Sequence, residues 1–263
     1  MVQPVYFGQP DRTLFGVTHG LPNPGVSGVV VAPPLFQEAI ATHRALWSLG
    51  EHLAASGVPA LRFDWYGSGD SGGQASQMTL DGLAGDVRAA MAWWNASMAS
   101  PLRILALRSG ALGVMAAARQ AAVPLDLVLW DPPASGEKLL AGWREMHRRQ
   151  LSEAGRYPFA PGRPAEDDLL GFDPSPAFLA EMEAFRLENC VLPAGSRVLV
   201  ASWREDPEVR AWTVGLEAAD VRTQWLELDA SDAPAWDDPG QFESQIFPRR
   251  AAATLAQRLT GRV

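Results

Sequence analysis

The feature that most constrains this chain is residues 102–118, LRILALRSGALGVMAAA. An apolar run carrying the branched residues Ile104 and Leu105 has the composition of a buried strand, and residues 113–118 read as the start of a small-residue helix. Between them, Ala106-Leu107-Arg108-Ser109-Gly110 is a tight turn. This is the layout of a nucleophile elbow, in which a strand turns sharply into a helix and lifts one side chain over the sheet. The strained turn leaves room only for small residues two positions before and after the lifted one. Ala106 and Gly110 meet that rule around Arg108, whereas centring on Ser109 puts Leu107 and Ala111 in the tight places. The sequence therefore predicts an elbow with an arginine where a nucleophile should stand.

The flanking rhythm supplies the sheet. Residues 28–32 (GVVVA), 60–64 (ALRFD), 126–130 (DLVLW), 197–202 (RVLVAS) and 221–228 read as strands, with helical periodicity over 38–56, 79–97 and 248–259. Short strands at 5–7 and 14–18, joined by Gly8-Gln9-Pro10-Asp11, predict a hairpin. Strands alternating with helices imply right-handed crossovers, hence an α/β fold with a mostly parallel central sheet and helices on both faces. The rhythm breaks over 134–190, where helical pieces at 137–150 and 176–188 flank a Pro/Gly/Asp-rich loop at 157–173. The expected organisation is a core of residues 1–133 and 191–263 with a helical cap at 134–190 over the sheet's carboxyl edge. A chain of 263 residues, 47% apolar and 20% charged, can bury a core of that size.

Several function classes drop out. Net charge is −8 with no basic stripe, which argues against a nucleic-acid role. The lone cysteine, Cys190, rules out an internal disulfide and a cysteine zinc site, fits a reducing compartment, and reads as a buried small apolar residue. No charged leader precedes an apolar stretch and no 18-residue apolar run occurs, so a cytoplasmic protein without a membrane span is expected. Neither a cofactor nor a metal is expected. Lys138 is the one lysine among 22 basic residues, which reads as base composition rather than chemistry.

The stretch Phe63-Asp64-Trp65-Tyr66-Gly67-Ser68-Gly69-Asp70-Ser71-Gly72 contains a GxGxxG spacing. A dinucleotide fingerprint should follow the first strand and open directly into a helix. Here the helical pattern starts only near Thr79, and Asp70 would repel a pyrophosphate. The D-x-x-G-x-G-x-S-x-G pattern instead resembles the loop after the fourth strand of α/β hydrolases, a resemblance that covers nearly the whole chain. A narrower one rests on Pro33-Pro34-Leu35-Phe36-Gln37-Glu38 with His43-Arg44, on RFDWYGSGDSGG, LALRSGALG and LVLWDPPASGEKLL, and on Gly171-Phe172-Asp173-Pro174-Ser175-Pro176. In order and spacing these segments resemble a bacterial family of hydrolase-like, serine-aminopeptidase-type proteins associated with exosortase and exopolysaccharide loci. That family's elbow reads G-L-R-L-G-A, so the resemblance implies that Arg108 is a family trait. Ser109 departs from it, where the family has leucine.

A Ser-His-Asp triad is then tested by chain order. The acid should follow the strand 197–202, and Asp206 is well placed. The histidine should follow the strand 221–228, but the four histidines are His19, His43, His52 and His147. Without an imidazole a serine hydroxyl has no ordinary base; His43, from the loop and helix after the third strand, is the one substitute, and it otherwise reads as a helix-surface residue. Ser109 is either a nucleophile or a hydroxyl capping the helix. Arg108 is either an anion anchor at a helix start, or paired internally with Asp64, Glu38 or Asp131. Leu35 and Phe36 supply the amides expected of an oxyanion loop, and Arg108 should face a pocket under the cap, lined by Phe36, Tyr66 and Trp130, with Glu38 beside it. Two readings follow. One is a binding or accessory protein with a degenerate triad that holds a small carboxylate or acyl ligand. The other is an ester, thioester or amide hydrolase, or an acyl transferase, rearranged around Ser109. A protein partner or a second copy of the chain is compatible with both.

Overall fold

The computed structural model describes residues 1–152, 169, 171–234 and 248–260. Strands β1 (Val2–Gln9) and β2 (Arg12–His19) form the expected hairpin, with Gly8 at φ +95°. A Cβ at Gly8 would lie 2.6 Å from the Arg12 carbonyl, so the turn needs glycine there. Beyond it run β3 (Gly28–Ala32), β4 (Ala60–Phe63), β5 (Leu102–Leu107), β6 (Asp126–Trp130), β7 (Arg197–Ser202) and β8 (Arg222–Glu227). The eight strands lie in the order β1-β2-β4-β3-β5-β6-β7-β8. From β4 to β8 every pairing is parallel, and β1–β2 and β2–β4 are antiparallel.

Seven helices connect or flank these strands among the described residues: α1 (Phe36–Ala55), α2 (Leu80–Ser97), α3 (Gly110–Ala118), α4 (Gly136–Ser152), α5 (Pro176–Glu183), α6 (Pro207–Ala218) and α7 (Arg249–Leu259). Because side chains alternate along a strand, the apolar runs feed two cores at once. Val30, Ala32, Ile104, Ala106, Leu127 and Leu129 pack with α2, α3 and α6. Val29, Val31, Leu105, Leu107, Val128 and Trp130 pack with α1 and α7 on the opposite face. Burying one such branched side chain contributes roughly 1.5–3 kcal/mol.

The described part of 134–190 adds no strand to the sheet. Helix α5 stops at Glu183 rather than running to 188. Its continuation pairs with the start of α4 instead: Gly136 N donates to Phe185 O at 3.0 Å and Leu187 N to Ala134 O at 2.9 Å. Only glycine fits at 136, where a Cβ would lie 1.7 Å from the Met182 carbonyl. Of the loop expected at 157–173, residues 157–168 and 170 lie outside the described residues.

Candidate functional site

The predicted elbow stands at the carboxyl end of β5. Arg108 has φ +46°, its amide donates to Trp130 O at 2.9 Å, and its carbonyl accepts from Ala111 N at 3.0 Å. A side-chain-bearing residue in that conformation costs on the order of 1–3 kcal/mol. Phe36 and Asp131, just beyond the neighbouring strands β3 and β6, share it at φ +51° and +50°. The small-residue rule has a direct steric cause: Ala106 is fully buried, and a Cβ on Gly110 would lie 2.5 Å from the Pro33 carbonyl.

Two carboxylates grip the arginine at this position. Its Nε donates to Glu38 Oε1 at 2.8 Å and its Nη1 to Asp131 Oδ2 at 2.9 Å. The side chains are 12% (Arg108), 6% (Glu38) and 20% (Asp131) exposed, so these charges meet largely out of water. Asp64, the third candidate partner, accepts from Asp70 N at 3.0 Å instead. Burial pushes its carboxyl above the usual range. Register explains what holds Asp131. Trp130 faces Ala201 across β6 and β7, so the next pair is Asp131 and Ser202, whose hydroxyl donates to Asp131 Oδ1 at 2.9 Å.

Glu38 gathers donors from three elements. Besides Arg108 it accepts Ser109 N at 3.2 Å, Ser109 Oγ at 2.5 Å, and the indole Nε1 of Trp143 from α4 at 3.3 Å. Ser109 is 0% exposed, and its Oγ also accepts from Leu35 N at 2.8 Å. The hydroxyl thus makes no capping bond to α3, contrary to the capping alternative. Leu35's amide, expected in an oxyanion loop, is committed to it. Glu38 is bound from within rather than open to a ligand.

Other expected residues lie elsewhere. His43 lies on α1, an exposed residue whose ring is still partly covered; that partial burial, then the charge of Arg62, holds the ring below the usual histidine value. Ser109 Oγ has Glu38 and Leu35 as its partners, so no histidine reaches it. Asp206 follows β7 as expected, but its Oδ1 accepts Glu208 N at 2.8 Å and Val209 N at 3.2 Å, capping α6. Tyr66 lies under the Arg12 guanidinium, 4.3 Å from its ring centroid. Trp130 turns to the α1/α7 side of the sheet, because its place in the strand's alternation points it there. Phe36 packs among Trp143, Phe172 and Phe178, with centroids 5.3–6.2 Å apart.

The arginine does border a cavity, of about 230 Å³, between the β6–α4 turn, the first turns of α4 and the β7–α6 turn. Asp131, Leu139, Arg204, Asp206 and Trp225 share its wall; Phe36, Tyr66 and Trp130 do not. Ser202, Trp143 and Arg204 are residues the sequence did not single out, and Lys138 stood out there only as base composition. The register of adjacent parallel strands was the available signal for Ser202. Among the described residues, no three His, Cys, Asp or Glu side chains converge as a metal site would require.

No protein-family model matches this sequence, and no curated protein does. Solved structures do. Est1E from Butyrivibrio proteoclasticus, bound to ferulic acid, superposes with a TM-score of 0.63 at 18% identity, covering 98% of this chain and 100% of that one. The chain has the α/β-hydrolase fold. An esterase domain from a Rhodothermus marinus protein gives 0.60 at 18% identity, with 99% and 97% covered. A Pyrococcus furiosus esterase gives 0.59 at 15% identity, with 100% and 90% covered. At such identities the likeness speaks for the α/β-hydrolase fold alone. No helix among the described residues is long and apolar enough to cross a membrane.

Proposed function

We propose that this protein is an α/β-hydrolase-fold binding or accessory protein with a degenerate triad, holding a small carboxylate or acyl ligand between its core and the cap at 134–190. One observation carries the reading: the elbow lifts an arginine locked between Glu38 and Asp131, while the adjacent Ser109 hydroxyl is wholly buried between Glu38 and the Leu35 amide. A nucleophile must reach its electrophile at roughly 3–3.5 Å, and a buried hydroxyl has no such approach. Kinship with the exosortase-associated family and a cytoplasmic setting complete the proposal; both rest on the sequence.

A second reading has one point in its favour. Glu38 Oε2 lies 2.5 Å from Ser109 Oγ, within proton-transfer reach, which a rearranged ester, thioester or amide hydrolase or an acyl transferase would need. Hydrolysis of p-nitrophenyl esters from acetate to octanoate, by wild type and Ser109→Ala, decides between them. The binding-protein reading expects both at the buffer rate. Turnover abolished by Ser109→Ala would overturn it.

A further inference from the structure

We propose that Lys138 and Arg204 together form the counter-ion site for the anionic head group of the ligand, leaving Arg108 as the structural floor of the cavity; this rests on the binding reading above. Arg108 is the cation a sequence argument selects, but Glu38 and Asp131 already hold its guanidinium. Arg204 differs from it. It lines the same cavity, its backbone carbonyl and amide contact the Ser202 hydroxyl, and its guanidinium has no ion-pair partner among the described residues.

Lys138 contributes from the other wall. It stands in the first turn of α4, at the positive end of the helix dipole, which disfavours a cation. Residues that break a local preference concentrate where function requires them. Lys138 is also the chain's one lysine, and it sits on this cavity. Its ammonium reaches across to Glu208 in the first turn of α6. That hydrogen bond, with the charges of Glu208, Asp206 and Glu137 around it, raises its pKa, so the group is a positive charge and not an amine nucleophile. The Lys138–Glu208 pair is solvent-exposed at 65% and 56%, and such pairs contribute little to stability, so an incoming carboxylate can exchange with Glu208 at small cost. Leu139, Val200, Val209 and Trp225 supply an apolar wall beneath for an acyl tail.

Isothermal titration with hexanoate and octanoate, and with their methyl esters, tests this on the intact chain. The acids are expected to bind at least about tenfold more tightly than the esters. Lys138→Gln and Arg204→Gln should each erase that preference while leaving ester binding in place, and Lys138→Arg should restore it. Acids and esters bound equally by wild type, or a preference untouched in both glutamine variants, would overturn the counter-ion assignment and leave the cavity reading standing. Wild type binding neither acids nor esters would overturn both.

Discussion

Replacing Arg108 by methionine keeps most of the side chain's volume and removes its charge and its N–H donors. The structure sets the size of the effect. Two charge-assisted hydrogen bonds, at 2.8 and 2.9 Å, disappear from groups that are 6–20% exposed on the carboxylate side. Each is worth roughly 1.5–3 kcal/mol. Glu38 keeps Ser109 and Trp143 as donors and Asp131 keeps Ser202, but both largely buried carboxylates lose their counter-ion. The expected loss is therefore about 3–5 kcal/mol, the usual cost of breaking a buried pair. In a domain of this length that lowers Tm by roughly 6–20 °C. Urea and thermal melts followed by circular dichroism read it directly. Adding Glu38→Gln should recover part of the loss, because the amide no longer needs a cation. An Arg108→Met protein within about 0.5 kcal/mol of wild type would refute the picture of a structural ion lock.

Three further outcomes follow from particular contacts. Gly110→Ala forces a Cβ to 2.5 Å from the Pro33 carbonyl and should cost roughly 1–3 kcal/mol in the same melts; a neutral result would contradict the elbow geometry. His19 is fully buried, its Nε2 accepts from Arg62 Nε at 3.0 Å and its Nδ1 bonds Glu51 at 2.8 Å. Burial, followed by the charge of Arg62, outweighs Glu51 and lowers its pKa. The unfolded chain therefore takes up this proton first, and stability should fall as pH drops below about 6.5. Urea melts from pH 7 to 5 should show a flatter slope for His19→Gln than for wild type, and equal slopes would count against the assignment. Trp143→Phe removes one donor from Glu38 and should cost about 0.5–1.5 kcal/mol, measured by the same melts, with no change taken as evidence that the indole bond is idle.

The elbow was legible because its constraint is steric and local: Ala106 and Gly110 allow the turn around Arg108 whatever surrounds them. The mostly parallel sheet and the hairpin were legible from apolar runs and their spacing. The pocket wall was not. A strand such as DLVLW is buried on both faces, so its composition does not reveal which face Trp130 joins. Glu38 and Asp131 could be named as candidate partners, but not that both bind Arg108 at once, since that depends on how α1 and β6 converge on the turn. Ser109 illustrates the same limit. A hydroxyl beside a helix start suggests a cap, yet tertiary packing brought Leu35 N and Glu38 closer. Lys138 was legible as the chain's one lysine, but its place on the cavity wall was not.

On the binding-protein reading the elbow carries no activated nucleophile. Exposure of the intact protein to a fluorophosphonate, followed by mass spectrometry of the whole chain, addresses it most directly, because that reagent labels only a serine whose hydroxyl is activated and reachable. An unmodified mass is expected after prolonged exposure, with Ser109 held between Glu38 and the Leu35 amide. A single phosphonyl adduct mapped to Ser109 would contradict it.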